Sequence, residues 1–368
     1  MFTIHRDASL SLYVFQVVLC SCFLLVGFTT ASNAQVANSV PTSSSGNGTL
    51  GASSQRVEFD VSAFEGISPS IPYWDRGFLI SREVETLRPD TPNIRLYDGS
   101  GRKVKEISVW FPEAQRVVVS SAALTADGRV VATGEANKPD GTRVFYVLST
   151  NFNGNVRQVL QTGNYHPRHA CAAPNGTVWT LGGMQWDFAT QGPTGGNVLR
   201  NIDLQKGETA TYIPRSTFPP ADFDSGGTWM RCSGQGVDIY VSAGSYIRMA
   251  YGEEQPHIYR AAVPEGSFLS GFAVLESGQV FGFLASTQDS SKSINGLYQL
   301  VLDDSAKTGR WIRVVTDAAS QLHADGIIRL WGADSDDLVV SVADDPVGRQ
   351  AFHWTKYSSS TTSAATNH

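Results

Sequence analysis

The chain has 368 residues, with 28 Lys and Arg against 34 Asp and Glu and a formal net charge of −6. No segment gathers the basic excess that phosphate contacts need, which excludes nucleic acid as a partner. Beyond the first thirty or so residues no window is long and apolar enough to cross a bilayer, so no membrane span is expected in the mature chain.

The N-terminus reads as an export signal. A short polar start with His5 and Arg6 precedes an apolar run over residues 10–28, interrupted only by Ser11, Gln16, Ser21 and Gly27. Ser32-Asn33-Ala34 then offers small residues to a signal peptidase, and cleavage after Ala34 predicts a secreted or periplasmic protein. The run also approaches the ~20 residues of an uncleaved anchor. A lipid-attached Cys22 fits poorly, because the apolar segment continues past it. Residues 35–56 are rich in Ser, Asn, Gly and Thr and read as a disordered leader, and residues 358–368 as a tail of the same character.

Between them, residues 57–357 read as one all-β domain. Short runs of Val, Ile, Leu, Phe, Tyr and Trp at 129–133, 144–148, 156–160, 178–181, 237–241 and 280–284 predict strands. No long window has the 3.6-residue period of an amphipathic helix. A repeated unit organises the strands: an apolar strand, a polar turn ending in Gly, then a second apolar strand. Its glycines are Gly128, Gly176, Gly236 and Gly278, separated by 48, 60 and 42 residues. Two-residue hairpins with positive φ account for the glycine.

The interval matches one four-stranded propeller blade, and the ordered length holds six. Blades are expected near residues 68–113, 114–161, 162–222, 223–264, 265–316 and 317–357. In the last of them Asp334-Ser335-Asp336-Asp337 replaces the Gly turn. Closure predicts that residues 57–61 and 352–357 share a blade. Two β-sandwich domains are the other arrangement that such spacing allows.

Asn164-Tyr165-His166-Pro167-Arg168-His169-Ala170, followed by Gly176-Thr177-Val178-Trp179-Thr180-Leu181-Gly182-Gly183, resembles a kelch-type repeat, and Val131-Ala132-Thr133-Gly134 is a partial echo. The resemblance implies a propeller and little about activity, since kelch-type propellers include oxidases, epimerases, sugar binders and adaptor proteins. The copper ligands of the oxidase branch find no counterpart here.

In a propeller the innermost strands surround an axial channel, so functional groups are expected ahead of each turn. That selects His166, Arg168 and His169 in the third blade, Trp229 and Arg231 in the fourth, and His323 with Asp325 in the sixth. Arginine offers a planar fork for an anionic or sugar ligand, or a salt bridge between blades. The histidines with Asp325 could meet at a divalent ion, but no close ligand spacing such as HExxH supports a metal site, and no cofactor fingerprint is present. Of the four cysteines, Cys20 and Cys22 leave with the signal. Cys171 and Cys232 remain as a disulfide, or as two buried thiols, with a one-residue offset in their register. Residues 184–197, with Trp186 and several glycines, form a long insertion expected to lie over the channel.

Asp303-Asp304, Asp336-Asp337 and Asp344-Asp345 read as turn residues, and Asn47 and Asn175 head glycosylation triplets. The functional expectation is an exported propeller that binds a carbohydrate or small-molecule ligand, or an envelope protein, at one channel mouth. The rival is a hydrolase, lyase or oxidoreductase built on the histidine and Asp325 cluster.

Overall fold

The computed structural model describes residues 50–51, 57–60, 73–82, 85–153, 155–184, 186–187, 192–193, 198–213, 228–241, 244–287, 294–314, 327–332, 337–343 and 351–359. All of them belong to the unit Gly48–His368; none lies in the separate unit Met1–Asn47. No α-helix occurs among them, and antiparallel sheets follow one another in chain order.

Sheet I comprises Tyr73–Asp75, Phe78–Arg82, Ile94–Tyr97 and Lys103–Ile107. Sheet II comprises Arg116–Leu124, Val130–Asn137, Arg143–Thr150 and Val156–Gln161, with Glu85–Thr86 added along its first strand. Sheet III comprises Tyr165–Ala172, Val178–Met184, Val198–Asp203 and Glu208–Ile213. Sheet IV has eight strands in two four-stranded meanders. One runs from Trp229–Cys232 to His257–Arg260 and the other from Ser267–Val274 to Thr308–Arg313, their outer strands joined by a parallel bridge between Arg260 and Thr308.

Sheet V joins the two ends of the unit. Ile327–Gly332, Asp337–Ala343 and Ala351–Ser359 come from the C-terminal part, and Val57–Asp60 pairs with the last of these, Val57 opposite Trp354 and Phe59 opposite Phe352. The same strand runs on to Ser359 and takes Leu50–Gly51 as partner. Sequence composition had these four residues, 50–51 and 358–359, in the leader and tail. They pair because an edge strand left open presents unmatched N–H and C=O groups.

From sheet II to sheet V the first strand of each meander packs beside the first strand of the next, Phe78–Arg82 of sheet I packs against Arg116–Leu124, and Ile327–Gly332 returns against Tyr73–Asp75. This order gives a propeller-like fold. Between sheets the core is apolar: Ile80, Leu96, Val117 and Leu148 pack together between sheets I and II, and Leu181, Leu199, Ile239 and Ile247 between III and IV. Tyr146, Tyr165, Tyr240, Tyr246 and Phe272 are fully buried, large rings filling the wedge that radiating sheets leave.

The turns correct the expected hairpin. Gly128, Gly176 and Gly278 have φ of 77°, 81° and 81°. Each closes a three-residue loop rather than a two-residue one: Gly128 N–H donates to Thr125 O while Thr125 N–H donates to Arg129 O, and the same pair of bonds recurs at Ala173 and Leu275. The left-handed glycine is the bulge residue that follows a type I turn. Gly236 has another cause. It is not among the positive-φ glycines, and a β-carbon on it would stand 2.3 Å from the Met249 carbonyl oxygen.

Candidate functional site

The first strands of the sheets enclose a cavity of about 60 Å³. Tyr73, Ala123, Cys171, Arg231, Val274 and Gly332 are among its lining residues, drawn from each meander in turn. Tyr73–Asp75 is anchored across this opening. Asp75 Oδ2 accepts from the Leu124 N–H at 2.7 Å, and Arg76, at a φ of 45°, donates Nε to Leu124 O at 3.0 Å and Nη2 to Ala172 O at 3.2 Å. One turn thus ties the inner strands of sheets I, II and III together.

Cys171 and Cys232 are bonded across the inner strands of sheets III and IV, with Cα atoms 5.5 Å apart. Their one-residue offset is absorbed because these strands belong to different sheets and share no hydrogen-bond register.

A bulge recurs in the inner strands. Pairing skips Ser120 in sheet II, Arg168 in sheet III and Ser270 in sheet IV. Such bulges turn a side chain out of the regular alternation. Opposite the first two stand Gly134 and Gly182, whose β-carbons would come within 1.9 Å of Val118 O and 2.0 Å of His166 O. The first glycine of the Gly182-Gly183 pair, and Gly134 in sheet II, are therefore required by close backbone approach at the bulge.

The charges of Arg168 and Arg231 both act on His169. His169 is half-buried, and its imidazole is held down to about 4 by desolvation and then by the guanidinium groups of Arg231, Arg82 and Arg168. At neutral pH it is uncharged, with one donor and one acceptor nitrogen. His166 lies to the side, stacked on Phe145 with ring centroids 4.7 Å apart and Nε2 3.2 Å from Ser120 Oγ. Burial, then Arg168 and Arg143, also hold it down to about 4. Arg231 donates Nη1 to Met230 O at 2.7 Å and its guanidinium lies 6.0 Å from the Trp229 ring centre. His323 and Asp325 lie outside the described residues. Among the described residues no group of three or more His, Cys, Asp or Glu is placed to hold a metal ion.

Sequence reasoning missed two members of the site. Arg82 ends the second strand of sheet I and donates to Val119 O, joining sheets I and II. Burial pulls its guanidinium below the ordinary value. An arginine closing the buried run Leu79-Ile80-Ser81 was the available signal. Tyr73 lines the cavity from the inner strand of sheet I. Burial pushes its phenol well up, Asp75 adding to the rise while Arg82 and Arg231 oppose it. Nothing in the local sequence separates Tyr73 from the tyrosines that pack between sheets.

Other singled-out residues are structural. Asp303 Oδ1 caps its turn through the Ser305 and Ala306 N–H groups, and Asn175 Oδ1 accepts from the Thr177 N–H at 3.0 Å. Within the 184–197 insertion, Trp186–Asp187 pairs with Gly192–Pro193 as a two-stranded ribbon.

No family model matches the chain, and no curated protein matches it. Among solved structures it is similar to a gluconolactonase from Xanthomonas campestris, at 11% identity over 84% of this chain and 91% of that one, with a TM-score of 0.46. It is similar to a protein of unknown function from Dyadobacter fermentans, at 13% identity over 83% and 99%, TM-score 0.47. A calcium-binding regucalcin from Agrobacterium tumefaciens is similar at 11% identity over 78% and 90%, TM-score 0.44. Likeness this distant carries nothing about activity, and the fold is read from the sheet order itself. On that order the chain is an all-β protein with a propeller-like fold.

Proposed function

We propose that this chain is an exported, six-bladed, kelch-like β-propeller that binds a small-molecule or carbohydrate ligand at one mouth of its axial channel, without catalysing a reaction on it. Counting the two meanders of sheet IV as separate blades supports the number six. The bulge glycines Gly134 and Gly182 support the kelch-like reading. The apolar run over residues 10–28 and the small residues before Gln35 support export.

The observation that carries the functional reading is the convergence on one cavity. Inner strands from every blade face it, and they bring Tyr73 and Arg231 to its wall beside His169. Concave sites with a few polar groups on an apolar frame are where small ligands bind. The disulfide and the Arg76 bonds hold that frame in place before any ligand arrives, which lowers the ordering cost of binding.

The test is equilibrium dialysis of the purified chain against a metabolite and oligosaccharide extract, with retained compounds identified by mass spectrometry. The reading predicts a compound retained by the parent and lost from Arg231→Met. Retention of nothing, or of the same compounds by both proteins, would overturn it.

A further inference from the structure

The hydroxyl of Tyr73 is a buried donor in the wall of the axial cavity. The Ala122 backbone lies beside this oxygen, but no hydrogen bond of good geometry is formed with it. A buried hydroxyl left without a partner is costly, on the order of 1–3 kcal/mol, and such groups mark places where an absent molecule completes the bonding. Of the charges acting on this phenol, Asp75 has the largest effect and disfavours negative charge at its oxygen, while Arg82 and Arg231 both favour it. The charges of the same two arginines, with that of Arg168, also act on the neutral imidazole of His169. Asp75 is engaged at the other side by the Leu124 N–H, and Glu276 also lines the cavity. Charges of both signs thus line the cavity, Asp75 and Glu276 against Arg76 and Arg231.

We propose that the Tyr73 and Arg231 side of the channel is a receptor for a carboxylate group, with Tyr73 Oη donating to one oxygen and the Arg231 guanidinium facing the anion. This rests on the channel-ligand reading above and names its chemistry. Guanidinium groups suit planar carboxylates, and charge-assisted hydrogen bonds are the stronger ones. Size narrows the choice further. At about 60 Å³ the cavity takes a few water-sized groups. It admits a carboxylate and its neighbouring carbon but not a whole sugar ring, so the body of a larger acid would stay in the mouth.

The test is isothermal titration of the full chain with acetate, D-glucuronate, the methyl ester of D-glucuronate and D-glucose, repeated on Tyr73→Phe and Arg231→Met. Tyr73→Phe removes one oxygen and keeps the ring, and an unchanged melting temperature shows that it folds. The proposal expects binding of the two carboxylates, none of the ester or glucose, and a loss of roughly tenfold or more in affinity on Tyr73→Phe. Equal affinity for acetate and glucuronate assigns a small free acid; glucuronate binding more than tenfold tighter assigns an acidic sugar. Carboxylates that bind Tyr73→Phe as tightly as the parent would overturn the proposal. So would glucose or ester binding without carboxylate binding; if that binding is lost in Arg231→Met, the channel site itself still stands. Absence of all binding, together with a dialysis profile that Arg231→Met leaves unchanged, would remove both.

Discussion

The carbonyl oxygen of His166 stands 2.0 Å from where a β-carbon on Gly182 would lie. This approach exists because the inner strand of sheet III bulges at Arg168, carrying the backbone of its neighbours toward the second strand. Gly182→Ala should therefore push the bulge outward and destabilise the fold by about 1–3 kcal/mol, the range for overpacking a close contact. Thermal melting would read the loss. Gly183→Ala is the control, since nothing lies within 4 Å of the β-carbon it adds; a matching loss there would refute the close-approach explanation.

Cys171 and Cys232 close a loop with a sequence separation of 61. Constraint of the unfolded chain by a loop of that size is worth roughly 2–4 kcal/mol. Melting of the parent with and without reductant, and of the Cys171→Ala, Cys232→Ala double variant, should show a lower midpoint for the reduced and substituted forms. A reductant-insensitive midpoint would mean the bond does not form in the isolated protein.

Asp238 is fully buried and gathers three partners: the Tyr246 hydroxyl, Arg248 Nε at 2.8 Å and Ser233 Oγ at 3.4 Å. Arg248 also donates Nη2 to Gly278 O at 2.7 Å, so this cluster joins the two halves of sheet IV. Asp238→Asn leaves the guanidinium without its buried counter-charge and should cost about 3–5 kcal/mol in urea unfolding. Adding Arg248→Met should recover part of that loss. A single variant as stable as the parent would show the pair to be dispensable.

His166 and His169 give the fold a sensitivity to acid. Both have folded values of about 4, below the ordinary 6.5, so the unfolded chain takes their protons first. Their contribution is intact above pH 6.5 and is lost as pH falls from there towards 4, by up to about 3 kcal/mol for each group. The groups facing them are Arg168 and Arg143 at His166, and Arg231, Arg82 and Arg168 at His169. A His166→Gln, His169→Gln double variant should lose less stability than the parent over that window. Parallel pH profiles would contradict the assignment.

The fold was legible where physics acts locally. Turn glycines at near-regular intervals reported left-handed backbone, and apolar runs reported strands buried on both faces. Sequence also singled out Arg168, His169 and Arg231, because each stands just ahead of a turn, where an inner strand must face the axis. Arg82 and Tyr73 were not legible, since their importance arises from neighbours about 40 to 160 positions away along the chain. The turn geometry at Gly236 was misread for a related reason: its glycine answers to the Met249 carbonyl on the next strand, not to its own φ. Spacing reveals local conformation, whereas a site assembled between sheets requires coordinates.

The most direct measurement is a crystal structure of the chain soaked with D-glucuronate. The account predicts a ring of inner strands around an open axis, with the carboxylate within hydrogen-bond distance of Tyr73 Oη and beside Arg231. A ligand bound on an outer sheet edge, with only water between Tyr73 and Arg231, would contradict it.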